Sequence, residues 1–411
     1  MTDDVRRTVD AVWRIESARI VATLARVAGD VGRAEDLAQE AVLEALRQWP
    51  ATGVPRNPGA WLTTVAKRRA IDQWRREGAL DERHRLLAAE LDEGREEVWE
   101  PIADDVLRLV FTACHPLLSR ESQVALTLRV VSGLSTAEIA RMLLVPVPTV
   151  QARITRAKKT LQAARVPFAT PEPSQWPARL GGVLGVVYLL YTEGYAPTAG
   201  AEWIRHELAD EALRLGRMLA RLVPREPEAH ALVALMEVQS SRFAARVGPG
   251  GTPVLLADQD RRRWDRGQIA RAVQALQRAD GLGRGRGAFA LQAAIGLAHA
   301  AAPDVEHTDW DGIVVLYEAL GRLAPNPIVE LNRAVAVSMA TGPEAALAIV
   351  DALASEPALR GSHLVPSVRG ELLARLGRGR EARAEFETAA GLAANGREAA
   401  VLREKAAALR P

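Results

Sequence analysis

Residues 134–161 read LSTAEIARMLLVPVPTVQARITRAKKTL, and this stretch decides the fold of its part of the chain. Ser135 followed three positions later by Glu138 has the form of a capping box, in which each side chain satisfies a free amide group at a helix start. A short helix is therefore expected to run to about Leu144. Its small Ala140 would let a second helix cross closely.

A second helix is predicted to begin near Thr149. The preceding Val145-Pro146-Val147-Pro148 forms a turn whose second proline pre-sets a helical φ. Beyond it, apolar residues recur at i, i+4, i+7 and i+11, so they share one face of the helix. These residues are Val150, Ile154, Ala157 and Leu161. Two helices joined by such a turn predict a helix-turn-helix.

The second helix is also basic. Between Thr149 and Arg165 there are five basic residues and no acid. Such a helix fits the major groove of DNA, with its first polar residues at base edges and its cations on phosphates. The alternative, a helical hairpin buried in a larger bundle, does not explain why every charge is positive. The predicted DNA-binding residues are Thr149, Gln151, Arg153, Thr155, Arg156, Lys158 and Lys159.

Another basic helix is predicted upstream, from Ala60 to about Arg76, with five basic residues and one acid. Trp61 and Trp74 lie beside the bases. Cations interleaved with aromatic rings suit a surface that holds phosphates and stacks on unpaired bases. A solvated basic face with tryptophans in the core explains the pattern equally well. The candidate nucleic-acid contacts are Trp61, Lys67, Arg68, Arg69, Arg75 and Arg76.

Ahead of this helix, apolar residues recur at helical spacing from Ala34 to Trp49. The helix they predict leaves an outward polar face that consists of Asp36, Gln39, Glu40 and Arg47. From the spacing alone, this face could simply be solvated.

Composition predicts an all-α protein, because aromatic residues make up only 4% of the 411 residues and the apolar stock is mostly Ala, Leu and Val. The net charge is +2, so affinity for nucleic acid must come from local clustering. A single cysteine and a start without signal-peptide character favour the reducing cytoplasm. The apolar run Leu180 to Tyr191 is short of the roughly 20 residues that span a bilayer, so a buried helix and no membrane partner are expected.

The chain is predicted to divide by composition. A helical domain spans 10–76, an acidic linker 77–105, the helix-turn-helix domain 106–165 and a Pro-rich linker 166–177. The remaining 178–411 is Ala- and Leu-rich and is predicted to be all-helical.

Within this last region, residues 363–396 have the small and aromatic spacing of a helix-turn-helix repeat of about 34 residues. An earlier copy is predicted from Leu331 to Leu353, with a turn at 341–343. Stacked pairs form a concave face that commonly holds a peptide or protein partner. A group of loop residues has two possible interpretations, as the lining of a binding cleft or as helix caps, and capping is favoured. They are Asp258, Asp260, Arg261, Asp309 and Trp310.

The sequence motifs give little support to an enzymatic function. The glycines from 281 to 287 lack the lysine and hydroxyl residue of a phosphate-binding loop. Cys114 and His115 lack further ligands nearby for a metal, so both are expected to be core or capping residues. No cofactor is expected.

In order and in kind, the N-terminal blocks resemble the extracytoplasmic-function (ECF) sigma factors. Residues 34–41 look like the family's polymerase-binding helix, which implies contacts from Asp36, Gln39 and Glu40 to core RNA polymerase. Residues 61–76 are similar to the promoter-melting helix at the minus-ten element, with Arg68 where many relatives carry asparagine. Residues 134–161 resemble the minus-thirty-five helix-turn-helix, with Ala152 in place of a frequent serine.

Further segments resemble a subgroup of that family with a tetratricopeptide-like extension, among them 190–195, 258–261, 308–310 and 331–335. The resemblance implies that the acidic linker threads through polymerase channels, although a plain solvated linker explains its charges as well. The chain is thus expected to be a non-enzymatic sigma factor, with core polymerase and promoter DNA as partners and a regulatory C-terminal domain. Two alternatives remain. One is a transcription activator that uses the helix-turn-helix alone, and the other is a protein scaffold with no role on DNA.

Overall fold

The computed structural model describes residues 2–77, 103–143, 145–196, 204–248, 252–393 and 396–409. Within these ranges the regular structure is α-helix, with short 3-10 turns and one isolated bridge between Val247 and Pro253. The predicted all-α class is confirmed. Most of the predicted acidic linker, 78–102, lies outside the described residues. In the described part of the chain, no helix combines the length and apolarity needed to cross a membrane.

The chain forms two compact units, Met1–Val186 and Val187–Pro411. The first unit holds seven complete helices among its described residues. They are α1 (Thr2–Ala28), α2 (Val31–Thr52), α3 (Pro58–Glu77), α4 (Ala103–Ala113), α5 (Arg120–Val130), α6 (Thr136–Leu143) and α7 (Val147–Ala163). We refer to α1–α3 as the N-terminal domain and to α4–α7 as the helix-turn-helix domain.

The next helix, α8 (Trp176–Tyr195), contains the predicted buried run and begins after the Pro-rich segment. Its first turn packs on the helix-turn-helix domain, since the Trp176 and Phe111 rings lie 5.0 Å apart and Arg179 donates to the Phe111 carbonyl at 3.0 Å. The compact units consequently divide within α8, whereas the composition places the start of the last domain at 178.

The helix-turn-helix forms as its sequence predicts. The Ser135 amide donates to the Glu138 carboxylate at 2.8 Å and the Glu138 amide donates to Ser135 Oγ at 3.2 Å, which is the reciprocal capping box. Helix α7 begins at Val147, two residues before the predicted start, because Pro146 is the N-cap and Pro148 still lies in the first turn. The predicted apolar stripe of α7 is buried: Val150, Ile154, Ala157 and Leu161.

The second unit is built from helices and 3-10 turns in the ranges the structure describes. After α8 come α9 (His206–Leu222), α10 (Pro227–Ser240), α11 (Arg266–Gly281), α12 (Ala288–Ala301), α13 (Trp310–Leu323), α14 (Pro327–Ala340), α15 (Pro343–Leu353), α16 (Leu364–Arg375), α17 (Gly379–Leu392) and α18 (Gly396–Ala408). Successive helices contact one another along the chain.

Both predicted repeat copies are helix pairs. The first is α14 with α15, joined through Gly342 at a positive φ of 129°, and the second is α16 with α17, joined through Gly377 at 74°. Their facing sides share one hydrophobic core, in which Phe386 is 2% exposed and Ala382 is fully buried. Such stacking of neighbouring pairs is the packing that repeat sequences specify.

Candidate nucleic-acid interface

The outward face of α7 is polar and basic. Because the apolar stripe holds one side of α7 against the domain core, the other side is left to solvent. Arg153 and Thr149 are half-buried. The exposed residues on this face are Gln151, Ala152, Thr155, Arg156 and Lys159. The structure therefore leaves six of the seven predicted duplex contacts at least partly open to solvent, and four of them are exposed: Gln151, Thr155, Arg156 and Lys159.

Lys158, the seventh predicted contact, has a different environment. Its ammonium binds the Glu35 carboxylate at 2.5 Å and the Asp36 carboxylate at 2.9 Å, both on α2. Burial lowers the pKa of this ammonium, but the two carboxylates outweigh burial and the net pKa is raised. The side chain is 19% exposed. The structure thus places Lys158 on the contact between the two domains, apart from the outward face of α7.

Helix α3 is positioned by α2. Arg69 donates to Glu40 at 3.0 Å and to Glu44 at 2.7 Å, and the Trp61 ring meets the Trp49 ring edge-on at 5.3 Å. Trp61 and Arg69 are consequently half-buried on the α2 side, while Arg68 is exposed and Lys67 is intermediate. The backbone of α3 continues through Arg75 and Arg76, whose side chains lie outside the described residues.

The polar face of α2 forms as predicted. Asp36, Glu40 and Arg47 are exposed and Gln39 is half-buried. Helical periodicity did not predict Leu43, which is 54% exposed in the middle of this face. Its signal was its position, since an apolar residue seven after Asp36 on a helix shares that residue's side. Leu43 is a single exposed apolar side chain among polar neighbours, and a single such residue is ordinary on a protein surface.

The loop candidates of the second unit mostly perform structural roles. Asp309 caps α13 through the Gly312 amide, and Asp260 accepts from the amide and the guanidinium of Arg262. Arg261 is 4% exposed and donates to the His299 and Ala302 carbonyls. The Trp310 indole donates to the Val305 carbonyl. These contacts agree with the capping interpretation, and no contact of Asp258 bears on it.

Cys114 lies in the core of the helix-turn-helix domain. Its Sγ is 3.4 Å from Thr127 Oγ1, and burial raises the pKa of the thiol to about 11. The thiolate, which is the reactive form, is therefore scarce at neutral pH. The neighbouring His115 accepts the Leu117 amide at 3.3 Å and so stabilises the turn after α4.

Comparison with known families agrees with this geometry. The Sigma-70 region 2 family matches residues 14–79, the Sigma-70, region 4 family matches 108–161, and a family of unknown function (DUF6596) matches 179–280. The two sigma matches cover the N-terminal and helix-turn-helix domains. The third covers the start of the C-terminal part.

Individual relatives extend the match. An uncharacterized protein of Rhizobium meliloti (strain 1021) is 45% identical over 382 residues, which is 90% of this chain and 88% of that protein. The ECF RNA polymerase sigma factor SigK of Mycobacterium tuberculosis (strain H37Rv) is 32% identical over 148 residues, 35% of this chain and 79% of SigK. SigK of Mycobacterium ulcerans (strain Agy99) is 34% identical over 149 residues, 35% of this chain and 78% of that protein.

The two sigma domains, in this order, carry a polar face on α2 and a capped helix-turn-helix, and the SigK relatives are matched over most of their length. The chain belongs to the ECF RNA polymerase sigma factors and has a helical C-terminal extension.

Proposed function

We propose that the protein binds core RNA polymerase through the polar face of α2 and reads a promoter through α3 and α7, in the cytoplasm and without covalent chemistry. Asp36, Gln39, Glu40 and Arg47 surround the exposed Leu43 and form the polymerase-docking surface. On α3, the minus-ten contacts are Trp61, Lys67, Arg68, Arg69, Arg75 and Arg76. On α7, the minus-thirty-five contacts are Thr149, Gln151, Arg153, Thr155, Arg156 and Lys159.

The observation that carries this proposal is the division of α7 into a buried apolar stripe and an exposed basic side. The capping box and Pro148 fix the residues at which the two helices begin. The positions of Gln151 and Thr155 along α7 are fixed with them. Arg156 and Lys159 follow on the same side and suit phosphates. A buried hairpin would cover this side, and the structure leaves it open to solvent.

Run-off transcription with purified core polymerase tests the proposal. The protein is expected to start transcripts on promoter fragments with no other initiation factor. A helix-turn-helix activator would bind the duplex and leave core polymerase inactive, so transcripts that require another sigma factor would establish that alternative.

Duplex binding by α7 is tested by Arg156→Ala. Loss of one phosphate contact is expected to lower affinity across sequences and to reduce the slope of log affinity against log salt by about 1. Arg19→Ala is the matched control, because Arg19 is an exposed arginine on α1 that pairs with Glu16 of its own helix. Equal effects of the two substitutions on a minus-thirty-five duplex would contradict the assignment of α7.

For the C-terminal extension we propose a regulatory role. A tethered domain acts at high effective concentration, so it can influence the sigma domains without a separate regulator. Support comes from its stacked helix pairs, which are the architecture of partner-binding arrays. A chain that ends at Val186 retains the first turns of α8 and is the appropriate truncation. Unchanged promoter-specific transcription from that chain, shown to be folded by circular dichroism, would exclude the role.

A further inference from the structure

Two arginines of the second unit have only uncharged hydrogen-bond acceptors. Arg242 follows α10, and Arg261 begins the 3-10 turn that precedes α11. The guanidinium of Arg261 donates to two backbone carbonyls and to the Thr308 hydroxyl, and that of Arg242 donates to the Tyr195 hydroxyl. Among the residues that the structure describes, neither guanidinium forms an ion pair with a carboxylate. Two positive charges are thus held in the fold without an opposite charge.

Both guanidiniums lie beside the same indole. The guanidinium carbon of Arg242 is 5.6 Å from the centroid of the Trp264 ring, and that of Arg261 is 5.5 Å from it. Arg242 also faces the Tyr195 ring at 5.7 Å, and Arg246 lies 3.8 Å from that ring. An aromatic face attracts a cation but carries no net charge, so it does not neutralise one. We call Tyr195, Arg242, Arg261 and Trp264 the arginine cluster.

The cluster remains positively charged at neutral pH. Burial, followed by the charges of the neighbouring arginines, lowers the pKa of Arg242 to about 10. The same two causes lower the pKa of His299 to about 4, so the histidine is neutral while the arginines are charged. The charge of Asp304 acts on Arg261, but this carboxylate binds the ring of His307 at 2.7 Å.

The cluster also holds three N–H groups for which the described residues provide no acceptor. They are Nε of Arg242, Nε of Arg261 and Nε1 of Trp264. Arg261 is 4% exposed and Trp264 is 2% exposed. A buried donor without an acceptor is costly, and most such groups in folded proteins have one. Unmet donors beside unneutralised cations indicate an acceptor that carries negative charge and comes from outside the chain.

Arg242 and Tyr195 give access to the cluster. Both residues are half-buried, whereas Arg261 and Trp264 are buried. An oxyanion forms a stronger hydrogen bond with a guanidinium than a neutral hydroxyl does. An anion that arrives from solvent therefore displaces the Tyr195 hydroxyl from Arg242 and is attracted further by the charge of Arg261.

We propose that the arginine cluster binds a phosphate group, either free phosphate or the phosphate of a small ester. A phosphate group carries about 1.5 to 2 negative charges at pH 7 and three strong acceptor oxygens. Its charge balances Arg242 and Arg261, and its oxygens equal the unmet donors in number. A carboxylate has one charge and two oxygens, so it would leave one cation and one donor unmatched. The planar guanidinium also suits phosphate geometry.

This inference goes beyond the proposed function, because it gives the C-terminal extension a ligand of its own. It uses only residues of the second unit. It therefore depends neither on the assignments of α2, α3 and α7 nor on the proposed regulatory role.

The test is isothermal titration calorimetry of the full chain with inorganic phosphate at constant ionic strength. Arg242→Met removes the charge, retains the aliphatic part of the side chain, and is expected to weaken phosphate binding about tenfold or more. Arg262→Met is the matched control, because Arg262 is 88% exposed and pairs with Asp260. It should bind phosphate as the wild-type chain does. Equal affinity in all three proteins, or no binding by the wild-type chain, would overturn the site.

Thermal melting separates a binding role of Arg242 from a structural one. Removing one of several repelling cations should leave the melting temperature of the phosphate-free variant unchanged or higher. A lower melting temperature with wild-type phosphate affinity would show that Arg242 only supports the fold, and would overturn the site.

Tyr195→Phe is a second variant, which decides the matter if Arg242→Met does not fold. It removes the hydroxyl that competes for Arg242, so phosphate binding is expected to tighten about threefold. Unchanged or weaker binding would contradict the displacement of Tyr195 and with it the proposed site.

Two further probes identify the chemistry of the ligand. Tighter binding of phenyl phosphate than of inorganic phosphate would support an ester, and equal or weaker binding would support free phosphate. Succinate, a dicarboxylate, is expected to bind at least about tenfold more weakly than phosphate, and tighter binding of succinate would overturn the choice of phosphate. These titrations contain no polymerase or DNA. Their failure would leave the proposed function standing, and failure of run-off transcription would leave the phosphate site standing.

Discussion

Two groups of cationic side chains, one in each unit of the chain, have different kinds of partner. At the junction of the two sigma domains, Arg129 and Lys158 bind carboxylates that belong to the other domain. In the second unit, Arg261 binds backbone carbonyls and the Thr308 hydroxyl, and Arg242 lies over the Tyr195 and Trp264 rings. A lysine held by a carboxylate can exchange it for another partner, whereas an arginine held by carbonyls of its own fold loses them only when that fold opens. The first arrangement suits a contact that can be exchanged and the second a permanent scaffold.

The largest effect is expected at Arg261. Its guanidinium donates to the His299 and Ala302 carbonyls and to Thr308, and Arg261→Ala would leave these acceptors buried without their donor. The free energy of unfolding should fall by about 4 kcal/mol, within the range for breaking a buried charged network. Urea denaturation followed by circular dichroism measures it.

The adjacent arginine is the control for that prediction. The Arg262 side chain is 88% exposed and pairs with Asp260 at the surface. Arg262→Ala should leave the free energy of unfolding almost unchanged. Similar losses from the two substitutions would show that burial of the cation does not decide the outcome, and the comparison between the units would lose its basis.

A smaller loss is expected at Glu35, the carboxylate that binds Arg129 and Lys158. Glu35→Gln leaves Lys158 with Asp36 and Arg129 with the Leu134 carbonyl, so both cations retain a partner. The free energy of unfolding of the first unit should fall by about 2–3 kcal/mol, near the lower bound for breaking a buried charge pair. Urea denaturation measures this loss. A loss as large as that of Arg261→Ala would mean that the junction is as permanent as the scaffold.

The pH dependence of stability tests the second unit independently, through the buried His299. Burial, together with Arg242 and Arg261, lowers the pKa of His299 to about 4, below its ordinary 6.5. The folded state therefore favours neutral His299, and the stability from this group is present above pH 6.5 and is lost as pH falls towards 4. Between pH 7 and pH 5 the loss should be about 2 kcal/mol.

The control for the pH scan is His299→Gln, which removes the titrating group. Thermal melting of this variant should lose less stability between pH 7 and pH 5 than melting of the wild-type chain. An equal loss in both proteins would assign the pH dependence to other groups and would leave His299 without a part in it.

The smallest effect concerns the start of the helix-turn-helix. Ser135→Ala removes the hydroxyl that accepts the Glu138 amide, and this should lower the free energy of unfolding of the first unit by about 1 kcal/mol. Ser174→Ala, at an exposed serine of the segment before α8, is the control and should have almost no effect. If both variants melt alike, the capping box contributes nothing to the placement of α7.

Local patterns predicted the helix-turn-helix in detail. The capping box, the proline turn and the four-residue apolar stripe of α7 each depend on neighbours within a few positions, and each formed as expected. The same reasoning placed Lys158 among the DNA contacts, because spacing on a helix shows only that a residue leaves the local apolar stripe. What Lys158 meets is set by Glu35, which is 123 positions away.

Glu35 itself was missed for the same reason. An acid next to Asp36 on an amphipathic helix has the appearance of a solvated residue, and its burial depends on Arg129 and Lys158 of another domain. Leu43 was overlooked because an isolated apolar residue on a polar face carries no periodic signal. The proposed site residues therefore divide into those fixed by local spacing and those fixed by contacts between domains.

Asp36 has a consequence for genetics. It binds Lys158 of the helix-turn-helix domain and lies on the face proposed for polymerase, so its replacement would weaken a contact between the two domains and a contact with polymerase together. A reporter that scores transcript yield alone would not separate these two effects. Mutational scans of this protein therefore need separate scores for holoenzyme assembly and for the stability of the first unit, since a substitution of Asp36 would change both.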